Sequence, residues 1–399
     1  MNVKESITPE QLAAYTELVK DMKKLRKEST RKEILEFVFG SVIFALLIGA
    51  GVYLAVDGVE RFALQPPFPV KEGWGFLYAA AALLFVYVAT MLHVYIHEAG
   101  HLVFGLLTGY RFSKFTIFSF IFKPIPPEWK DGEKYPYVWY CLGGVVFNVI
   151  ASLLAVLLFS LHIPLVSWIT AVFIFIGVLM AICRVVPLLF ESELEGTTLR
   201  LCKQSRENQK NLYMQMKITA LKREGVALKD MPEEFFAVEA DEKMNPLNCH
   251  LALLKYYRYI QTGEGEKARE WLKAMEQQMD YLSYEDVQAL DMERLFLCLK
   301  DGGSIEEIAA YYSLLETSVM KSKRLSNLRV RYAYHVLLTE EEREKIEWLV
   351  ASCKGKLPDM LWKRKRQKAE KIYKKMEKAC AKYPVSAEAE FYMDMVKDL

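Results

Sequence analysis

Four apolar runs divide the first half of the chain, near residues 35–56, 74–105, 138–162 and 166–190. Each is at least as long as the roughly 20 residues that a helix rising 1.5 Å per residue needs to cross a bilayer. Ahead of the first run, Thr8-Pro9-Glu10-Gln11 predicts a helix start, with Thr8 as N-cap, proline at the first helical position and Gln11 closing a capping box. Leu12, Tyr15, Leu18, Val19, Met22 and Leu25 then fall on one face. That spacing predicts an amphipathic helix resting on the protein or on the membrane surface. Between the second and third runs, YRFSKFTIFSFIFKPIPPEW (110–129) is aromatic, β-branched and closed by Pro124, Pro126 and Pro127. It predicts one or two short strands or a re-entrant hairpin, and it equally suits an interfacial aromatic anchor.

Past residue 197 the pattern becomes short amphipathic helices joined by turns. NPLNCHLALLKYYRYIQTGEGEKAREWLKAMEQQM (245–279) predicts a helical hairpin turning at Thr262-Gly263-Glu264-Gly265, with Ala and aromatic positions like those of a tetratricopeptide repeat. A second pair is expected over 322–353, and SAEAEFYMDMVKDL supplies a last helix. The repeat consensus is poorly matched, so the expectation is a helix-hairpin array, a form that binds peptides or proteins on a concave face. WKRKRQKAEKIYKKMEKACAK (362–382) is a basic stretch with Ile372, Tyr373 and Met376 on one side. It suits the solvated outer face of such an array or contact with anionic lipid, and no other motif supports nucleic acid as a partner.

The 399 residues are 52% hydrophobic and 26% charged with a formal net charge of +2, averages that conceal an apolar half and a polar one. Charge placement orients the chain. Lys4, Lys20, Lys23, Lys24, Arg26, Lys27, Arg31 and Lys32 precede the first run, whereas the loop at 57–73 holds only Arg61 and Lys71. The positive-inside rule therefore puts the N-terminus in the cytoplasm. The loop at 109–137 and the chain beyond 190 are basic again, which predicts four spans with both termini inside. The first 33 residues are too charged for a signal peptide, so the first run is expected to remain as an anchor. Seven cysteines with no CxxC spacing predict free thiols rather than a disulfide frame or zinc ribbon.

The chemistry is concentrated in MLHVYIHEAGHLVFGLLTG, residues 91–109. On a helix His97 and His101 project from one face and can share a Zn²⁺, with Glu98 beside it as general base. Ionisable groups inside an apolar span are costly, and that cost favours function over chance. His93 extends the stripe, but eight residues of helix separate it from His101 by about 12 Å, too far for both to bind one ion. It is expected to be an outer donor to the site or an interior polar residue. A catalytic zinc takes three protein ligands and keeps one position open, so a third ligand must come from elsewhere.

HEAGHLVFGLLTGYRF at 97–112, GGVVFN at 143–148 and RVVPLLFESELEG at 184–196 resemble the three successive motifs of the site-2 protease family of intramembrane zinc metalloproteases, over about residues 74–200. The resemblance implies that His97 and His101 are ligands, Glu98 is the catalytic glutamate, Asn148 is an active-site asparagine and Gly143-Gly144 is a small pair allowing close helix packing. It places Glu195-Gly196 where an Asp-Gly carrying the third ligand is expected, with Pro187 matching a motif proline. Arg184 stands where the family has asparagine, and Glu195 where it has aspartate. Glu191 and Glu193 are rival ligands on chemistry alone. Asn148 is either a donor to the substrate carbonyl or oxyanion or polar glue between helices.

The expected fold is mainly α: a polytopic membrane bundle of about four spans around the HExxH core, a short membrane-associated β-hairpin and a cytoplasmic helical domain. The expected divisions are an N-terminal helix at 1–33, a transmembrane metalloprotease domain at 34–196 and a helical domain at 197–399. The expected location is a membrane, taken to be a bacterial cell membrane. The expected function is zinc endopeptidase, one Zn²⁺ per chain, acting on a membrane-embedded protein or peptide near the cytoplasmic side, with a protein partner on the helical domain. The alternatives are a CAAX-type membrane zinc protease, against which Gly143-Gly144 and Asn148 argue, and a non-catalytic membrane scaffold.

Overall fold

A computed structural model describes residues 7–27, scattered positions between 30 and 45, and then 75–112, 124–129, 135–161, 163–185, 195–238, 244–279, 282, 284–315, 322, 324–354, 369–381, 387–397 and 399. The chain is mainly helical with one two-stranded sheet among these residues. It divides into two compact units, one formed by Met1–Glu33 with Leu221–Leu399 and the other by Ile34–Ala220. Most of the first apolar run, Pro187, Glu191, Glu193 and residues 113–123 lie outside the described residues.

Helix α1, Pro9–Leu25, begins as its sequence predicts. The Gln11 amide donates to Thr8 Oγ1 at 3.2 Å and the Thr8 amide to Gln11 Oε1 at 3.1 Å, which satisfies two of the donors a helix start leaves open. Its apolar face rests on protein: Tyr15, Val19 and Met22 are buried in a core shared with Phe296, Ile308, Val330 and Ile346. Arg26, just past the helix end, is itself buried and paired with buried Asp291.

In the second unit, three of the apolar runs form helices: α2, Gly75–Leu107; α3, Tyr137–Phe159; and α4, Pro164–Val185. Helix α3 packs on both others, and α2 also meets α4. The contact is close because it is made of glycine: a Cβ on Gly100 of α2 would stand 2.2 Å from the Gly143 carbonyl oxygen, and one on Gly143 would stand 2.5 Å from that of Gly100. Small residues let backbones approach in this way. The outer faces are apolar and open, with Leu84, Leu106, Leu107, Leu153, Leu157 and Ile182 all more than half exposed. Among the described residues, Tyr137–Phe159 is long and apolar enough to cross a membrane, and Ile169–Val185 is a shorter apolar stretch.

Strand β1, Arg111–Phe112, pairs antiparallel with β2, Pro124–Ile125, in the register Arg111↔Ile125 and Phe112↔Pro124. The ends of the expected hairpin therefore do meet. The Phe112 ring lies over Gly105, 2.6 Å from where a Cβ would be, which holds the sheet against the last turn of α2. Helices α5, Glu195–Gln204, and α6, Arg206–Arg223, follow.

The rest of the first unit is an array of helices: α7, Pro246–Gln261; α8, Gly265–Glu276; α9, Tyr284–Lys300; α10, Ile305–Leu314; α11, Leu325–Leu337; α12, Glu340–Lys354; α13, Ala369–Ala381; and α14, Ala387–Lys397. The α7–α8 turn falls at Thr262–Gly265 as expected, with Gly263 at φ +78°, a backbone conformation glycine adopts without strain. Helices α11 and α12 lie where the second pair was expected, but α11 packs on α9, α13 and α14, and α12 packs on α10 and α1. Among the described residues, Cys141, Cys183, Cys202, Cys249, Cys298 and Cys380 take part in no disulfide.

Candidate metal centre

Helix α2 delivers His97 and His101 to the same face, and α5 delivers Glu195 at its first residue. Gly196 explains how the carboxylate gets there. A Cβ at that position would stand 2.1 Å from the Val185 carbonyl oxygen, so only glycine lets the start of α5 close onto the end of α4. Of the three acidic residues in the run, Glu195 is the one that the described residues bring to the histidines.

His97 Nε2 lies 3.0 Å from Glu195 Oε1 and 3.1 Å from His101 Nε2, and His101 Nε2 lies 3.5 Å from Glu195 Oε1. In a tetrahedral zinc site with bonds of 2.0–2.1 Å, donor atoms stand about 3.3 Å apart. The spacing fits that geometry. The chemistry of the donors fits as well: His101 Nδ1–H donates to the Tyr140 carbonyl at 2.8 Å, leaving Nε2 with a lone pair facing the cluster. Glu195 Oε2 is buried without a hydrogen-bond partner, a cost that a cation beside it would offset. The His97, His101 and Glu195 ligand atoms all lie within 4.8 Å of one another, and the group could hold a metal ion.

Burial opposes ionisation of Glu195, and the charge of Arg184, 3.4 Å away, favours it. A carboxylate ligand must be an anion, the state that Arg184 supports. Glu98 is half-buried one residue along from His97. Gly144 gives His97 its place, since a Cβ there would lie 2.5 Å from the imidazole Cε1.

Asn148 is fully buried between two imidazoles, its amide 3.2 Å from His93 Nδ1 on one side and 3.5 Å from His97 Nδ1 on the other. His93 is also fully buried, and its Nε2–H donates to the Phe173 carbonyl of α4 at 2.8 Å. Room for that ring comes from Gly177, where a Cβ would stand 2.3 Å from His93 Cε1. Sequence reasoning named His93 and Asn148 but not their contact, and it passed over Gly177 and Tyr140. The available signal was Gly177 itself, since glycine inside a helix costs about 1 kcal/mol relative to alanine and needs a reason. No family model, curated protein or solved structure matches this chain.

Proposed function

We propose that the chain is an intramembrane zinc endopeptidase that hydrolyses a peptide bond of a membrane-embedded protein or peptide near the cytoplasmic side, in regulated proteolysis or peptide processing. The observation that carries this reading is the convergence of His97, His101 and Glu195, 98 residues from His97, into one set of ligand atoms. Two imidazoles and one carboxylate are a donor set of catalytic zinc, in which the fourth position stays open. A zinc ion held there supplies Lewis acidity and brings the pKa of bound water toward about 7.

The chain's own residues supply the rest. Glu98, next to His97 on α2, accepts a proton from the water whose oxygen adds to the carbonyl carbon, and returns it to the nitrogen as the C–N bond breaks. Tyr140 fixes His101 through its carbonyl, and Arg184 helps keep Glu195 charged. The open apolar exterior of α2, α3 and α4, with side chains such as Leu84, Leu107, Leu153 and Leu157 exposed, suits a lipid surround. By the positive-inside rule the basic loops favour a cytoplasmic side for the end of α2, the start of α3 and the end of α4, where His97, His101, Gly143, Asn148 and Arg184 lie.

Elemental analysis of the purified chain tests the reading: one zinc per chain is expected, lost in His97→Ala. Glu98→Gln should retain zinc and abolish cleavage, and membrane-protein fragments present with wild type and missing with Glu98→Gln identify the substrate. A metal-free wild type overturns the proposal, as does cleavage that persists without the Glu98 carboxylate.

A further inference from the structure

We propose that His93 and Asn148 form a proton-ordered relay that fixes His97 in its metal-binding tautomer, making Asn148 a positioning residue for the metal centre. The inference rests on the reading of His97 as a metal ligand. It begins at a backbone atom, the Phe173 carbonyl, which can only accept. His93 Nε2, 2.8 Å away, must therefore carry a hydrogen. A second hydrogen on Nδ1 would make this fully buried ring a cation with no acidic partner among the described residues, which is expensive. His93 is accordingly neutral, and its Nδ1 is an acceptor.

An acceptor at Nδ1 requires a donor, and the group 3.2 Å away among the described residues is the Asn148 carboxamide, placed with Oδ1 toward His93 and Nδ2 toward His97. The oxygen and nitrogen of a carboxamide exchange by a half turn that leaves its shape unchanged, so the surrounding donors and acceptors decide which end faces which ring. The NH₂ end must face His93. The oxygen then faces His97 Nδ1 and accepts its hydrogen, leaving His97 Nε2 with a lone pair aimed at Glu195 and His101. The opposite arrangement would donate to His97 Nδ1 and put a hydrogen on Nε2, the atom that has to bind the ion.

The relay is locked at each end by packing. Gly177 admits the His93 ring, and Gly144 admits the His97 ring. Both ends of the Asn148 amide are committed and the residue has no exposed surface, so it acts on His97 and not on a substrate. The two histidine ligands are thus oriented by different means, His101 by one carbonyl of α3 and His97 by a chain of three groups reaching α4.

Nitrogen-15 NMR of histidine-labelled, zinc-free full chain reads the tautomers, with signals assigned by His93→Gln and His97→Gln. The expected result is hydrogen on Nδ1 of His97 and on Nε2 of His93. Zinc affinity, measured by competition with a chromophoric chelator, should fall about 10–100-fold in Asn148→Leu. Asn148→Asp keeps an oxygen for His97 Nδ1–H and should recover most of that affinity, which a merely space-filling role would not predict. His93→Phe, which frees the amide to turn, should lose affinity too. Hydrogen on Nε2 of His97 in the zinc-free wild type overturns the relay, as does an Asn148→Asp loss equal to that of Asn148→Leu. Should the wild type bind no zinc at all, the metal reading fails while the tautomers still judge the relay, so the two failures are distinct.

Discussion

Gly144 has no side chain, and the imidazole of His97 occupies the space one would fill. Gly144→Ala should push that ring off α3 and lower zinc affinity by about tenfold or more in chelator competition, in line with other losses of ligand orientation. Gly265→Ala, with nothing within 4 Å of the new Cβ, should leave it unchanged. A different residue-scale prediction concerns His335. Burial, with the charges of Arg343 and Arg331, pushes its pKa from the ordinary 6.5 down to about 4. The folded state then binds fewer protons than the unfolded one between those values, so His335 contributes stability fully above pH 6.5 and loses it as pH falls toward 4. Histidine NMR should show a midpoint near pH 4 for this ring, and acid unfolding should be shallower in His335→Gln. At this scale much of the centre was legible: His97, Glu98 and His101 because a helix turns an interval of four into a shared face, and Glu195 because of the glycine after it. The acceptors that orient the rings were not, because a backbone carbonyl has no residue type to read.

Helix α1 shows what periodicity conveys about an element and what it omits. The spacing of Tyr15, Val19 and Met22 marked an apolar face, but its partners Phe296, Ile308 and Ile346 are hundreds of residues away along the chain, and no local pattern points to them. Arg26 makes the same point in charge. By sequence it is one of eight basic residues that orient the N-terminus, whereas in the fold it is spent on buried Asp291, 265 residues on. Removing one partner of a buried pair leaves a buried charge uncompensated and costs about 3–5 kcal/mol, while replacing both by apolar groups can be nearly neutral. Asp291→Ala should therefore destabilise the unit to urea by about that amount and expose Lys20, Lys23 and Lys24 to trypsin. Arg26→Met with Asp291→Leu should restore both stability and resistance.

For the whole molecule, the expected grouping and the observed one differ in which segments belong together. Met1–Glu33 joins Leu221–Leu399 in one unit, and residues up to Ala220 stay with the apolar helices. The reason is physical: α1 has an apolar face of its own to bury, and the array offers a core that receives it. The membrane topology is open to a direct check. With single cysteines in an otherwise cysteine-free chain, Asp57→Cys should react with an impermeant maleimide added outside cells, and Lys130→Cys only after permeabilisation; the reverse pattern would reject the proposed orientation.

The donor set also has a history in time. Glu195 is made 98 residues after His97, an interval of about 5–20 s at ordinary rates of synthesis. Throughout that interval the nascent chain holds His97, Glu98 and His101 but not the carboxylate of Glu195. A site assembled in this order stays incomplete while the apolar helices are being made, and is complete only when the last of its donors has arrived.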